Sequence, residues 1–497
     1  MASAHDTSRV LQTLLKYGTA EQRDEIFEEM KPSFATLMSQ KYSSFYLLKV
    51  LEFGSPTHRQ FILKCIIGNT RKLLKNSSSA KVVEEMYTKY TKPAEKRKLL
   101  NDLCGAAFRR VNDGGDRTFR EVFNDENVSS ENKDRMISTL KTSLCSMATQ
   151  GKGRIAQLSV VHAVLDEFLS CCPYDNPIRK EVLDTCRDNI EGLLNTKVGC
   201  RCAQHFIWES DAKERKLLLK SLKPIMGRLL QDVDACNFIL SIIDTVDDVV
   251  LTSKLVIKPL LTRSQNDEFD EALGCDAIEE SFMDPVTRRY ILYLISPRDS
   301  NHFSPTFVAS LKSPVLPNGE PLHVKKTFEE RLGDLRRVSS IDEALLNFLI
   351  KQMPLFPNYM DNDLLLALVT VLNHVKEIDG KREKVFAIFA HIIDLDCDEK
   401  KCMSVESPAM NIALKRLMSN EENKAVLVEK LAGRLEKEKQ IVSRLIVSNR
   451  GCFFLLHLME SGVKGVEGKC REMIKPFLNI IHKLKSSGAK LLASKMT

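Results

Sequence analysis

One sixteen-residue phrase recurs along this chain. "SRVLQTLLKYGTAEQR" fills residues 8–23, "SFYLLKVLEFGSPTHR" fills 44–59 and "CRCAQHFIWESDAKER" fills 200–215. Each opens on a small residue, runs through apolar positions at three- and four-residue spacing, breaks, and closes on arginine. Anchored on that opening residue, the frame returns at Ser8, Ser44, Ala80 and Asp116, and then at Leu158, Cys200, Ala235 and Arg288. It resumes around Met410, Gly451 and the C-terminus. A period in the thirties with little strand-like alternation implies an all-α solenoid, in which each unit buries its apolar face only by stacking on its neighbours. Only 17 Pro and 21 Gly interrupt 497 residues, which agrees with nearly continuous helix.

The phrase carries its own punctuation. Gly18 and Gly54 are expected to end the first helices at C′, and Thr19 and Ser55 to cap the helices that follow. The anchor, the next residue and the residue four on are expected to project from one side of the helix, leaving three exposed positions per unit.

Those positions resemble the PUF, or Pumilio, family of RNA-binding repeats. In that family the anchor and fourth-on residues meet a base edge, and the residue between them stacks on bases. Ser8, Arg9 and Gln12 match its adenine-reading combination, as do Cys200, Arg201 and Gln204. "HDTSRVLQ", "VNDGGDRT", "RRYILYLISPRDSNHF" and "SNRGCFFLL" are similar to landmarks of its Puf-A subfamily, with a penguin-like C-terminal region. The resemblance covers nearly the whole chain. It implies an α-solenoid of about eleven repeats in an L-shaped stack, a nucleolar location in the nucleus, and a role in pre-rRNA processing and large-subunit assembly. It also implies binding to double-stranded or structured pre-rRNA, with DNA as a further ligand and with little sequence preference. Pre-ribosomal proteins are the other implied partners of a monomer without cofactor or metal. Members usually carry a long basic N-terminal tail holding the localisation signal. This chain starts almost inside a repeat, so truncation there is expected.

Poor base reading follows from the residues themselves. The fourth-on positions run Gln12, Leu48, Glu84, Arg120, His162, Gln204, Ile239 and Leu292, and leucine or isoleucine offers a base edge no hydrogen bond. The stacking positions run Arg9, Phe45, Lys81, Arg117, Ser159, Arg201, Cys236 and Arg289. Five of those eight are cationic and one is aromatic, a row that grips phosphate or base faces whatever the base. Arg288 is the anchor beside Arg289. Further candidates are Lys41 and Lys49 around the second phrase, Arg71, Lys72 and Lys75 before the third, and Arg109 with Arg110.

Charge favours the same end. Residues 1–110 hold 19 Lys/Arg against 11 Asp/Glu, leaving 54 against 55 for the rest of the chain. That asymmetry places a polyanion partner at the N-terminal repeats. The expected division is basic N-terminal repeats over 1–115, central repeats over 116–300, and penguin-like helical repeats over 301–497. Between the last two, Pro314, Pro317 and Pro321 around Asn318 and Gly319 read as an exposed loop.

Other classes find little support. No apolar run approaches bilayer length, and "MASAHDTSRV" lacks a signal peptide's apolar segment. The 14 Cys are scattered without a CxxC pair, so buried reduced thiols are expected. "GKG" at 151–153 lacks the rest of a phosphate loop, and no nucleophile motif appears, which argues against an enzyme. Two alternatives stay open. A sequence-specific repressor of translation requires adjacent competent triads, and a protein-binding helical scaffold requires apolar or acidic residues at the exposed inner positions.

Overall fold

The computed structural model describes residues 5–38, 40, 42–113, 115–149, 157–261, 271–315, 323–353, 362–393, 396–397 and 402–496. The phrase helices form where the frame places them, and two compact units contain them. The first unit comprises Met1–Ile225, Asp232–Val246 and Ser313–Lys325. Its phrase helices are His5–Tyr17, Ser43–Phe53, Ser77–Glu85, Ser159–Cys171, Lys197–Trp208 and Cys236–Thr245. Each packs on the next in chain order, with the π-helical turn Met86–Tyr90 carrying the contact from Ser77–Glu85 to Ser159–Cys171. The second unit comprises Met226–Gln231, Asp247–Lys312 and Lys326–Thr497. Its series runs Pro285–Ile295, Asn362–His374, Pro408–Met418, Asn449–Met459 and Ser487–Met496.

The all-α solenoid is therefore the architecture. Among the described residues the only sheet is a ladder pairing Asp396 with Met403 and Cys397 with Cys402. Returning helices such as Ala20–Met30, Pro56–Ile66 and Ala212–Leu222 make a second layer, each opened by a reciprocal cap: Thr19 with Gln22, Ser55 with His58, Asp211 with Glu214. Between the layers lie Phe27, Tyr46, Phe108, Phe168 and Phe206 in the first unit and Tyr290, Phe348 and Val371 in the second, all fully buried. Each such side chain contributes about 1.5–3 kcal/mol. Pro305, ahead of the expected loop, opens a short helix capped by Ser304. Residues 316–322 of the expected loop lie outside the described residues.

Glycine ends the first helices by a different means from the one expected. Neither Gly18 nor Gly54 is left-handed, and Gly54 sits at φ −75°, ψ 168°. A Cβ would fall 2.5 Å from the Leu14 carbonyl oxygen at Gly18 and 2.4 Å from that of Val50 at Gly54. Close approach to the helix end, not backbone handedness, demands glycine there. The thiols behave as expected: no disulfide joins the cysteines with described side chains, nearly all are buried, and burial pushes the Cys186 thiol up to about 12.

The arginine closing each phrase finishes the helix before it and reaches the next repeat. Arg215 Nε donates to the Ile207 carbonyl at 2.7 Å and Nη2 to Trp208 at 3.1 Å, while Nη1 reaches Thr245 at 3.4 Å and His323 at 2.8 Å. Arg23 donates to Lys16 and to Phe53, and Arg59 to Leu51 and Glu52 with its guanidinium over the Tyr90 ring. Arg179, in the intervening unit, donates to Leu169 and Cys172 and pairs with Glu209. The carbonyls so engaged include the last ones of each helix, which lack intrahelical partners. The spacing is regular, with one acceptor seven residues back in every case. The forward partner stands thirty residues on, or thirty-one at Arg59, where the π-helical turn adds a residue.

Candidate nucleic-acid interface

Stacking of one phrase helix on the next decides which positions stay open. The anchors do not: Ser8, Ser44, Ala80, Cys200, Ala235 and Arg288 are all buried. Ser8 Oγ donates to the Tyr42 carbonyl at 2.8 Å, the Cys200 thiol lies 3.7 Å from the Leu194 carbonyl it donates to, and Arg288 donates to Phe282 at 3.2 Å. Asp116 is exposed but lies in a connector ahead of the Phe119–Phe123 helix, paired with Arg97.

The fourth-on positions are also turned into the seam. The Glu84 carboxylate accepts the Ser159 and Val160 N–H groups at 2.9 and 3.4 Å and so caps the next phrase helix. His162 Nδ1 stands 2.7 Å from the hydroxyl of Thr196, the N-cap of its successor. Gln204, buried, donates to the Asn237 carbonyl at 3.3 Å. Arg120 pairs with Asp166 and Glu167 on the next helix. Gln12 is half-buried and donates to Ser8 Oγ at 3.1 Å. The expectation of three exposed positions per unit is thus corrected to one, because an isolated helix face does not reveal the neighbour that covers it.

That one position is the stacking residue. Arg9, Phe45, Lys81, Arg117, Arg201 and Arg289 are exposed, Ser159 is half-buried and Cys236 is buried. Arg9 and Lys81 carry no ion pair among the described residues. Arg117 pairs with Asp125 at 2.7 Å, and Arg289 lies over the Phe307 ring. Arg201 makes a two-pronged contact with Asp166 at 2.8 and 2.6 Å, which holds its guanidinium above its ordinary pKa. The two adenine-type triads are therefore unlike: Arg9 is open, and Arg201 is held.

Of the connecting-segment cations, Lys72, Lys75, Arg109 and Arg110 are exposed and Arg71 is half-buried, none of them in an ion pair among the described residues. Arg71, Lys72 and Lys75 lie just ahead of Asn76, the N-cap of the helix that carries Lys81, so these four share one end of that helix. Arg109 and Arg110 sit in the last turn of Pro93–Asn112. Lys49 is taken up by Glu52 at 2.6 Å and by the Phe53 ring. Lys41 lies outside the described residues. Of the candidate cations in the first unit, those left open are consequently Arg9, Arg71, Lys72, Lys75, Lys81, Arg109 and Arg110. Sequence reasoning passed over the closing arginines, although the quoted phrases display them.

A Pumilio-family RNA binding repeat model matches residues 8–31 and 33–67, and a CPL (NUC119) domain model matches residues 283–430. Human Pumilio homolog 3 is 25% identical over 508 aligned residues, covering 100% of this chain and 73% of that protein. Its Danio rerio counterpart is also 25% identical, covering 100% of this chain and 75% of that protein. Pumilio homology domain family member 6 of Schizosaccharomyces pombe is 29% identical over 60% of this chain and 44% of its own length. The crystal structure of human Puf-A in complex with DNA superposes with a TM-score of 0.82 over 99% of this chain and 91% of that one, at 23% identity, a match of fold. The chain is thus similar from end to end to Pumilio homolog 3 of mammals and fish, carries Pumilio-family RNA binding repeats at its N-terminal end, and has the fold of human Puf-A.

Proposed function

We propose that this protein binds structured RNA, and DNA as well, through the open cations of its first unit, and that it reads little or no base sequence. One observation carries the reading. The stacking row stays exposed and mostly cationic, whereas the fourth-on positions that would meet base edges are apolar or spent on the next repeat. Guanidinium and ammonium groups recognise phosphate whatever the base. The human relative solved with DNA accords with such tolerance. By kinship with Pumilio homolog 3 the reading extends to a nucleolar protein acting as a monomer among pre-ribosomal proteins in pre-rRNA processing.

Competition among unrelated RNA duplexes of equal length tests it. Similar affinities are expected, and a preference of about a thousandfold for one sequence, on the scale of specific recognition, refutes it. Arg9→Ala with Lys81→Ala is expected to weaken every duplex alike and to lower the slope of log affinity against log salt by about one for each phosphate no longer neutralised. Gln12→Ala is expected to change affinity little. Weakening confined to adenine-containing strands would restore base reading. A tagged chain excluded from nucleoli would remove the proposed location.

A further inference from the structure

The stacking position changes chemistry within the second unit, after Arg289. Counted from the N-cap, it is the fifth residue: Lys81 after Asn76, Arg201 after Thr196, Arg289 after Asp284. By the same count it is Ile412 after Ser407 and Phe453 after Ser448, and Leu491 after Ser486, whose hydroxyl accepts the Ala489 N–H. Ile412 is 55% and Leu491 52% exposed, and Phe453 is half-buried between them. The three carrying helices pack in sequence, with Asn411 donating to the Arg450 carbonyl and the Gly488 N–H to Asn449 Oδ1. Val447, 65% exposed just before its N-cap, stands where the first unit has Lys75. Isolated exposed apolar residues are ordinary, but a register-matched row in place of a cationic one is not.

Cations flank that row. Lys415 and Arg416, one turn on from Ile412, are exposed and form no ion pair among the described residues, and Lys490 beside Leu491 is likewise open. His457, one turn on from Phe453, has its pKa lowered by burial and by the charge of Lys415. Lys495, one turn on from Leu491, pairs with Glu460. The sequence bears this out on a larger scale. Residues 439–497 hold 11 Lys/Arg against 3 Asp/Glu, so the basic surplus is not all N-terminal. An acidic middle, 43 against 52 over residues 111–438, cancels it in any count that starts at residue 111.

We infer that this face of the second unit, distinct from the cationic row of the first, docks an extended segment of an acidic partner protein. Its apolar side chains lie along Ile412, Phe453 and Leu491, and its carboxylates lie over Lys415, Arg416 and Lys490. Helices spaced about 8–10 Å apart make the row about 20 Å long, which about six residues of extended chain span at about 3.3 Å each. Apolar contact supplies the grip and opposite charge the orientation.

The test is fluorescence anisotropy of the full chain with a labelled peptide of about twelve residues, twice the span of the row, mixing Leu and Glu. A twin with every Glu replaced by Lys and a labelled oligouridine complete the set. The acidic peptide is expected to bind at least about tenfold more tightly than its twin, and Ile412→Glu with Leu491→Glu to abolish that difference while oligouridine binding stays unchanged. Lys415→Glu with Arg416→Glu provides a second variant and is expected to reverse the preference between twins. Equal binding of the twins, or no effect of either variant, overturns the inference. So does parallel loss of oligouridine, which would give the face to nucleic acid. Because nucleic-acid binding is assigned to the first unit, either proposal can fail alone.

Discussion

Replacing Arg215 by alanine isolates what the closing arginine contributes. Arg215 is only 2% exposed, and its guanidinium donates to four carbonyls, three within 3.1 Å and one at 3.4 Å. A hydrogen bond from a charged donor contributes about 1.5–3 kcal/mol, and each buried acceptor left unmatched costs about 1–3 kcal/mol. Against this stands the cost of burying the cation itself, several kcal/mol, which the variant recovers. The net loss works out at about 3–5 kcal/mol, among the largest that single substitutions produce. Trp208, the only tryptophan in the chain and itself one of the acceptors, reports on this seam directly. Urea unfolding followed by its fluorescence is expected to shift its midpoint by about 1–5 M, for slopes of about 1–3 kcal/mol per molar. Arg215→Lys, which keeps the charge but not the fork, is expected to fall between. Arg9→Ala, at an open position, is the control and should leave the curve in place. A shift for Arg215→Ala no greater than about 0.5 kcal/mol, the scale of ordinary surface changes, would refute the seam's importance.

A glycine pair in the second unit tests close packing. A Cβ at Gly451 would lie 2.2 Å from the Leu445 carbonyl oxygen, so Gly451→Ala is expected to lower the melting temperature, whereas Gly433, on a helix with open space around it, should raise stability by about 0.5–1 kcal/mol as alanine. Thermal melts of the two variants check both signs. For pH dependence, His58 is buried against Phe27 with its ring centroid 3.9 Å away, and burial lowers its pKa despite nearby Asp24. The unfolded chain binds a proton near pH 6.5 that the folded chain resists, so His58's contribution is present above about 6.5 and declines as pH falls below it. His58→Gln should flatten stability over pH 5–7 in chemical denaturation, and an unchanged profile would assign that dependence to other groups.

The solenoid was legible because its period is written in apolar side chains, and every phrase with good spacing became a helix near its expected place. Exposure was less legible. Ser8, Cys200 and Gln204 look like surface residues on a helical wheel, yet the neighbouring unit covers them, and the identity of that neighbour is a property of the stack. The fourth-on carboxylate of Glu84 illustrates the point, since its partners are backbone N–H groups 75 and 76 positions away. Arg9 and Lys81 survived as candidates because no neighbour in the stack reaches them. The apolar row escaped notice because the long stretch from Arg298 to Met410 interrupts the frame, and only N-cap counting restores it.

The closing arginines give the first unit a direction. Each reaches back to the phrase helix just before it and forward to the repeat that follows. Peeling the array from its N-terminal end therefore removes a donor and leaves the remaining guanidinium groups fully seated. Peeling from the opposite end strips Thr245 away from Arg215 and leaves a cation stranded at the new edge. Pulled between two handles, such an array resists unequally at its two ends, as a zipper with teeth raked one way, and its last repeat acts as the lock for those before it.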